Sequence, residues 1–172
     1  MTGHPHHGGG ESTRYFEDFP VGSVYELGSC EITAADIIEF GTKFDPQPYH
    51  IDEESGKASP FRGLIASGWH TASLFMRLYV DSLLLDSAAV GSPGVDDLRW
   101  LRPVRPGEVL HGRLTVVDSA PAPFRPECGV LRKRGVMRDA EGRPVLKLLL
   151  FSMVLRRPAA PPPVESRGDG AG

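Results

Sequence analysis

The spacing of apolar residues changes period along the chain, and each change marks a new element. From residue 23 to 33 the run SVYELGSCEIT alternates as a strand does, entered through a turn that carries Glu17, Asp18 and Gly22. The next stretch, ITAADIIEFGTKF, moves to helical spacing at Ile37, Ile38, Phe40 and Phe44, with Thr33 as N-cap and Asp36 as an incomplete capping box. This helix is expected to stop near Phe44, because Asp45 precedes a proline and a pre-proline residue is pushed toward extended backbone. A long apolar stretch, 63–86, then repeats every three or four residues at Ile65, Trp69, Ala72, Met76, Tyr79 and Leu83. Its opposite stripe is also apolar, and Arg77 is the one fixed charge from Leu64 to Val80, which predicts a helix buried on most of its surface. Ser67, His70, Thr71, Ser73 and Arg77 interrupt that run too often for a membrane span.

Downstream the period becomes that of sheet. Strand-length runs at 96–104, 108–119, 129–139 and 143–155 are separated by RPGE, APAPFRPE and AEGR turns. The last run is apolar on both faces, through Leu146, Leu148, Leu150 and Val154 on one side and Val145, Leu149, Phe151, Met153 and Leu155 on the other. It therefore belongs in the middle of a sheet. One strand, two helices and four strands imply an α+β fold, an antiparallel sheet wrapped around a central buried helix.

With 172 residues the chain can hold one domain that buries roughly two-thirds of its extended surface. That domain is expected over 13–157. Residues 1–12 and the Pro/Gly/Ala-rich 158–172 lack the apolar content to order themselves and read as disordered tails. The first twelve residues lack the apolar centre of a secretion signal, and His4, His6 and His7 there suit a solvated tail better than a metal site. A net charge of −3 gives no general attraction to nucleic acid or to an anionic membrane. Cys30 and Cys128 are too few for a disulfide framework and lack metal-site spacing, which favours a reducing cytoplasm.

Candidate chemistry concentrates in FDPQPYHID, where Asp45, His50 and Asp52 share nine residues with Pro46 and Pro48. The prolines are expected to exclude helix and to hold an acid and an imidazole in register, the pairing used for proton transfer. A rigid connector, with Asp45 and Asp52 as turn formers and His50 at the surface, accounts for the same residues. The second feature is IASGWH, at the start of the apolar helix. There free N–H groups form a positive pole for a developing oxyanion and Gly68 permits close approach, although small residues at such a point also serve packing.

Taken in order, FGTKFDPQPYHID, FRGLIASGWHTASL and LRPVRPGEVL resemble the MaoC-like dehydratases, the (R)-specific enoyl-CoA hydratase group of the hot-dog fold. That family's motif reads approximately D-x-N-P-x-H-x-D, with the glycine of an A-H-G-M segment further on. Asp45, Pro48, His50 and Asp52 fall on the first part, and Gly68 lies 18 residues past His50. The resemblance covers residues 15–155. It implies hydration of a trans-2-enoyl-CoA to a (R)-3-hydroxyacyl-CoA, or the reverse. Asp45 and His50 would activate water and deliver a proton, and the Gly68 amide would meet the thioester oxyanion, where one donor is worth roughly 3 kcal/mol. It also implies no cofactor or metal beyond the coenzyme A of the substrate, and a homodimer or larger homo-oligomer with the cleft at the subunit interface.

Three positions depart from the family pattern. Gln47 replaces its asparagine, Ser67 stands in place of histidine, and Trp69 replaces a smaller apolar residue, so that these three join the candidate substrate-binding set. His70 is read as a core or interface histidine. In LRKR, alternation puts Arg132 and Arg134 on one strand face and Lys133 on the other; a solvated face, or contact with coenzyme A phosphates, would follow. A hot-dog acyl-CoA thioesterase is the nearest rival function, although the apolar helix offers no carboxylate before Asp81. A non-catalytic acyl-CoA binder is the third. No basic helix or interleaved aromatics supports a nucleic-acid reader.

Overall fold

The computed structural model describes residues 13–159. Residues 1–12, with His4, His6 and His7, and all of the C-terminal tail beyond Ala159 lie outside the described residues. The elements run β1 (Val24–Glu31), α1 (Ala34–Phe44), α2 (Pro48–Ile51), α3 (Glu53–Ala58), α4 (Gly68–Tyr79), β2 (Ala89–Gly91), β3 (Val95–Trp100), β4 (Val109–Pro121), β5 (Cys128–Arg138) and β6 (Pro144–Leu155). All strand pairs are antiparallel, in the order β1-β4-β5-β6, and the far edge of β6 is shared by β2 and β3. The doubly apolar last strand is thus interior, as its pattern predicts.

Alternation on β4, β5 and β6 buries Leu110, Leu114, Leu131, Met137, Leu146 and Leu150 on the sheet's inner face, where they pack with Phe75, Leu78 and Tyr79 of α4. Burying each such side chain stabilises by roughly 1.5–3 kcal/mol. Two glycines bring the helix close. A Cβ on Gly112 would lie 3.1 Å from Leu78 Cδ1, and one on Gly135 would enter the Phe75 ring. The sheet curves around this single helix, the architecture that the resemblance implies.

Several expectations need correction. The core-facing stripe of α4 is Thr71, Phe75, Leu78 and Tyr79, whereas Trp69 and Met76 of the predicted stripe are exposed in the single chain. With apolar residues on both stripes the sequence carries no phase, and the sheet selects it. The helix begins at Gly68, within the IASGWH segment expected to start it, and residues 63–67 of the apolar stretch spend their backbone groups elsewhere: Ile65 N–H donates to Tyr49 O (3.1 Å) and Ala66 N–H to Val104 O (2.8 Å). Past Tyr79 it widens into a π turn, Val80–Leu84. The segment expected to be non-helical holds α2, with Pro48 at its first position, where the missing N–H costs nothing and the ring pre-sets the backbone. A fourth helix, α3, was not expected. Asp52 caps it, its Oδ1 accepting from Ser55 N–H (2.7 Å). Among the described residues no helix is long and apolar enough to cross a membrane.

Candidate active site

Local chain chemistry fixes Asp45 and His50 before any ligand is considered. A complete capping box starts α1: Thr33 Oγ1 accepts from Asp36 N–H (3.1 Å), and Asp36 Oδ2 accepts from Thr33 N–H (3.0 Å). Asp45 is the residue that ends α1, its N–H donating to Gly41 O (2.9 Å). The chain then reverses so tightly that a Cβ on Gly41 would lie 2.6 Å from His50 O, and His50 is only 5% exposed. His50 is therefore not the surface residue of the rigid-connector alternative.

The imidazole is oriented from below. Its Nδ1 lies 2.7 Å from the Ile65 carbonyl, which can only accept, so Nδ1 carries the hydrogen. Nε2 is left facing Asp45 Oδ2 at 3.5 Å. The Asp45 carboxylate is held by Ser67 Oγ–H on Oδ2 (2.7 Å) and by Gln47 Nε2–H on Oδ1 (2.8 Å). The Ser67 hydrogen bond, more than those from Gln47 or the nearby His50, keeps the Asp45 pKa below the ordinary carboxylate value. Tyr49 in turn donates its hydroxyl to Gln47 Oε1. The pair thus presents a carboxylate held ionised beside an imidazole with Nε2 free to take or give a proton.

Ser67 joins this network to α4. It is 1% exposed and caps the helix, accepting from Trp69 N–H (3.2 Å) while donating to Asp45. Gly68 opens α4, and its own N–H has no acceptor among the described residues. Next to it is a cleft of about 320 Å³ whose walls include Tyr49, His50, Ile65, Gly68, Thr71 and Trp100. His50 and Gly68 therefore line one cavity, and Asp45 stands behind it, beside His50. A Cβ on Gly68 would sit 2.5–2.7 Å from the Trp100 indole, so the glycine is required by that ring as well as by any ligand.

Of the candidate residues, Asp45, His50, Gln47, Ser67 and Gly68 form one connected site. Trp69 is 58% exposed and meets Trp100 edge-on, with centroids 5.2 Å apart, so the indole that shapes the cleft is that of Trp100. Trp100 was not singled out from the sequence; its signal was only an aromatic within the strand-length run 96–104. His70 is buried and stacked on Phe40 (centroids 4.6 Å, planes 2° apart), with Nδ1 unpartnered and its pKa lowered by burial. Arg132 and Arg134 are exposed as alternation requires, but Lys133 is not solvated: it is 1% exposed, on the inner face of β5. Among the described residues no group of three or more His, Cys, Asp or Glu side chains could hold a metal ion.

An antiparallel sheet curled on one helix, with an acid–imidazole pair at the helix start, defines a hot-dog protein of the hydratase type, and sequence comparison agrees. The family described as MaoC like domain matches residues 18–133, and the chain belongs to that family. It is similar to the uncharacterized protein YdeM of Bacillus subtilis, 30% identical over 115 residues that cover 67% of this chain and 80% of that protein. A crystal structure of the MaoC-like dehydratase from Rhodospirillum rubrum is 37% identical and superposes with a TM-score of 0.77 over 85% of this chain and 99% of that one. The R-hydratase PhaJ1 of Pseudomonas aeruginosa shares the fold, with TM-score 0.67 at 20% identity over 88% and 96% of the two chains.

Proposed function

We propose that the protein is a hydratase/dehydratase of acyl-CoA thioesters, adding water to a trans-2-enoyl-CoA to give a (R)-3-hydroxyacyl-CoA or removing it. The observation that supports this is that His50 and Gly68 line one cleft, with the Asp45 carboxylate 3.5 Å from His50 Nε2. Asp45 and neutral His50 are both acceptors, and a water donating one hydrogen to each is held and polarised. Its oxygen bonds to C3 of the enoyl group as the pair takes up one proton. The electrons of the C2–C3 double bond move toward the thioester, whose oxygen gains charge and accepts from Gly68 N–H. The pair then returns a proton to C2, so that one water has been added overall. Which side chain holds the proton at each stage is a property of the pair. Exclusion of water from the cleft by the bound substrate strengthens the amide's contribution.

No cofactor enters this scheme apart from the coenzyme A carried by the substrate. The exposed Trp69, Trp100 and Leu101 beside the cleft support a second copy of the chain as its missing wall, hence a homodimer. A cytoplasmic location is consistent with two free cysteines. The test follows crotonyl-CoA by loss of enoyl absorbance and by free thiol. Hydration without thiol release is expected, with Asp45→Asn inactive but folded. An unimpaired Asp45→Asn removes Asp45 from the mechanism, and thiol release alone transfers the function to a thioesterase.

A further inference from the structure

On the inner face of the sheet, away from the Asp45–His50 pair, a cluster of polar side chains is closed inside the core. Lys133 projects from β5 toward α4, and its Nζ donates to Ser152 Oγ of β6 (2.9 Å) and to Tyr79 Oη of α4. The two hydroxyls lie 3.0 Å apart. Rings of Phe19 and Tyr79 cover the ammonium at 5.6 and 4.9 Å. Across the sheet its register partners are Val116 and Leu150, and among the described residues no carboxylate pairs with Lys133. Burial, with nothing opposing it, lowers the Lys133 pKa to about 7; burial also raises that of Tyr79 to about 12, against a smaller lowering by the Ser152 hydrogen bond.

With Lys133 charged, the cluster has more donors than acceptors. Two of the three ammonium hydrogens go to Tyr79 and Ser152 and the third has only the Phe19 and Tyr79 rings near it; one hydroxyl hydrogen joins the two oxygens, and the other hydroxyl hydrogen has no acceptor among the described residues. A buried donor left unmade is costly, which makes an incoming acceptor favourable. Tyr79 and Ser152 are also in the wall of a second cavity, of about 350 Å³, whose other walls include Met76, Leu84, Val95 and Leu150. An apolar chamber thus ends on a surplus of hydrogen-bond donors.

We propose that this cavity binds the oxygen-bearing end of an otherwise apolar ligand, a carboxylate or carbonyl group that accepts hydrogen bonds from Tyr79 and Ser152 with Lys133 behind them. The chemistry is the same whether that end belongs to a free medium-chain acid or to the far end of a thioester's acyl group. The second source rests on the proposed acyl-CoA function and the first does not. Along α4, Gly68 at the candidate active site and Met76 in this chamber are eight residues apart, about 12 Å by helical rise, so an extended acyl chain spans the interval.

The test is calorimetric binding to the full chain at pH 8, without turnover. Octanoate and octylamine distinguish acceptor from donor heads, and octanoyl-CoA and its ω-carboxyl analogue suberyl-CoA report on the acyl end. A free-acid site is expected to bind octanoate at least about tenfold more tightly than octylamine, the scale of one hydrogen bond to a charged group. Protons are then taken up, read as a buffer-dependent heat, because an anion beside Lys133 favours its charged form. An acyl-end site is expected to prefer suberyl-CoA over octanoyl-CoA by a similar factor. In Lys133→Met the preference disappears, and in Ser152→Ala, the variant kept in case the first fails to fold, it weakens. Either preference supports the site, and binding is read whether or not the protein hydrates enoyl thioesters. Absence of both preferences, or preferences unchanged in the folded variants, would overturn the proposal and leave Lys133 as a neutral amine closed in a ring with Tyr79 and Ser152.

Discussion

Replacing Ser67 by alanine tests the junction between the acid and the buried helix. The hydroxyl has two partners: it accepts from Trp69 N–H as the N-cap of α4 and donates to Asp45 Oδ2 at 2.7 Å. Losing a serine cap costs about 1 kcal/mol, and losing a hydrogen bond to a charged group about 1.5 kcal/mol when, as for Asp45, water can partly replace it. The sum of about 2.5 kcal/mol lowers the melting temperature by about 5–10 °C for a domain of this size. The pH dependence has a definite sign. The folded Asp45 pKa is depressed chiefly by Ser67, so its stabilisation is present above the ordinary carboxylate pKa of about 3.9 and lost as pH falls through the folded value. The wild-type advantage over Ser67→Ala is therefore largest at neutral pH and narrows in acid. Urea melts from pH 7 to 3 read this, and a carbon-13 titration of the Asp45 carboxyl should show its pKa rise in the variant. Ser67→Gly isolates the Asp45 bond, since glycine retains most of the cap's stability. An unmoved Asp45 titration together with an unchanged melting temperature would refute the network.

Further outcomes follow from the same geometry. Gly68→Ala places a methyl 2.5–2.7 Å from the Trp100 indole and displaces the free amide; kcat is expected to fall by about 10²–10³ and stability by about 1–3 kcal/mol, and a kcat within twofold of wild type would contradict the amide's role. Gly41→Ala drives a methyl to within 2.6 Å of His50 O and should cost about 1–3 kcal/mol in urea melts with a matching loss of activity as α2 is displaced. His70 has its pKa lowered by burial, so its cost appears as pH falls from about 6.5 through its folded pKa. His70→Phe, which can keep the stack on Phe40, is expected to lose less stability between pH 7 and 5 than the wild type, and parallel losses would show that His70 does not titrate there. Lys57→Ala removes an exposed pair with Glu54 and should leave the urea midpoint unchanged.

What the sequence made legible was local. Asp45, His50 and Gly68 stand out because their spacing survives in one dimension, and β6 because apolar residues on both faces have only one sheet position. The Ser67–Asp45 bond spans 22 residues and could not be seen; Ser67 registered only as a departure from histidine. The phase of α4 was hidden for a different reason, since Trp69 and Met76 are as apolar as Phe75 and Leu78 and only contact with the sheet separates them. Lys133 inverted the usual inference. Its neighbours Arg132 and Arg134 suggested solvent, yet alternation alone had already put it on the opposite face, where Tyr79 and Ser152 receive it. The helices α2 and α3 escaped notice because each is shorter than two turns and carries no apolar repeat, and caps rather than burial define them.

The most direct measurement is proton NMR of the product formed from crotonyl-CoA in heavy water. The account predicts an intact thioester with a hydroxyl at C3 and one deuterium at C2, both absent with Asp45→Asn. Recovery of free coenzyme A and unchanged crotonate, or of product from Asp45→Asn at the wild-type rate, would contradict it.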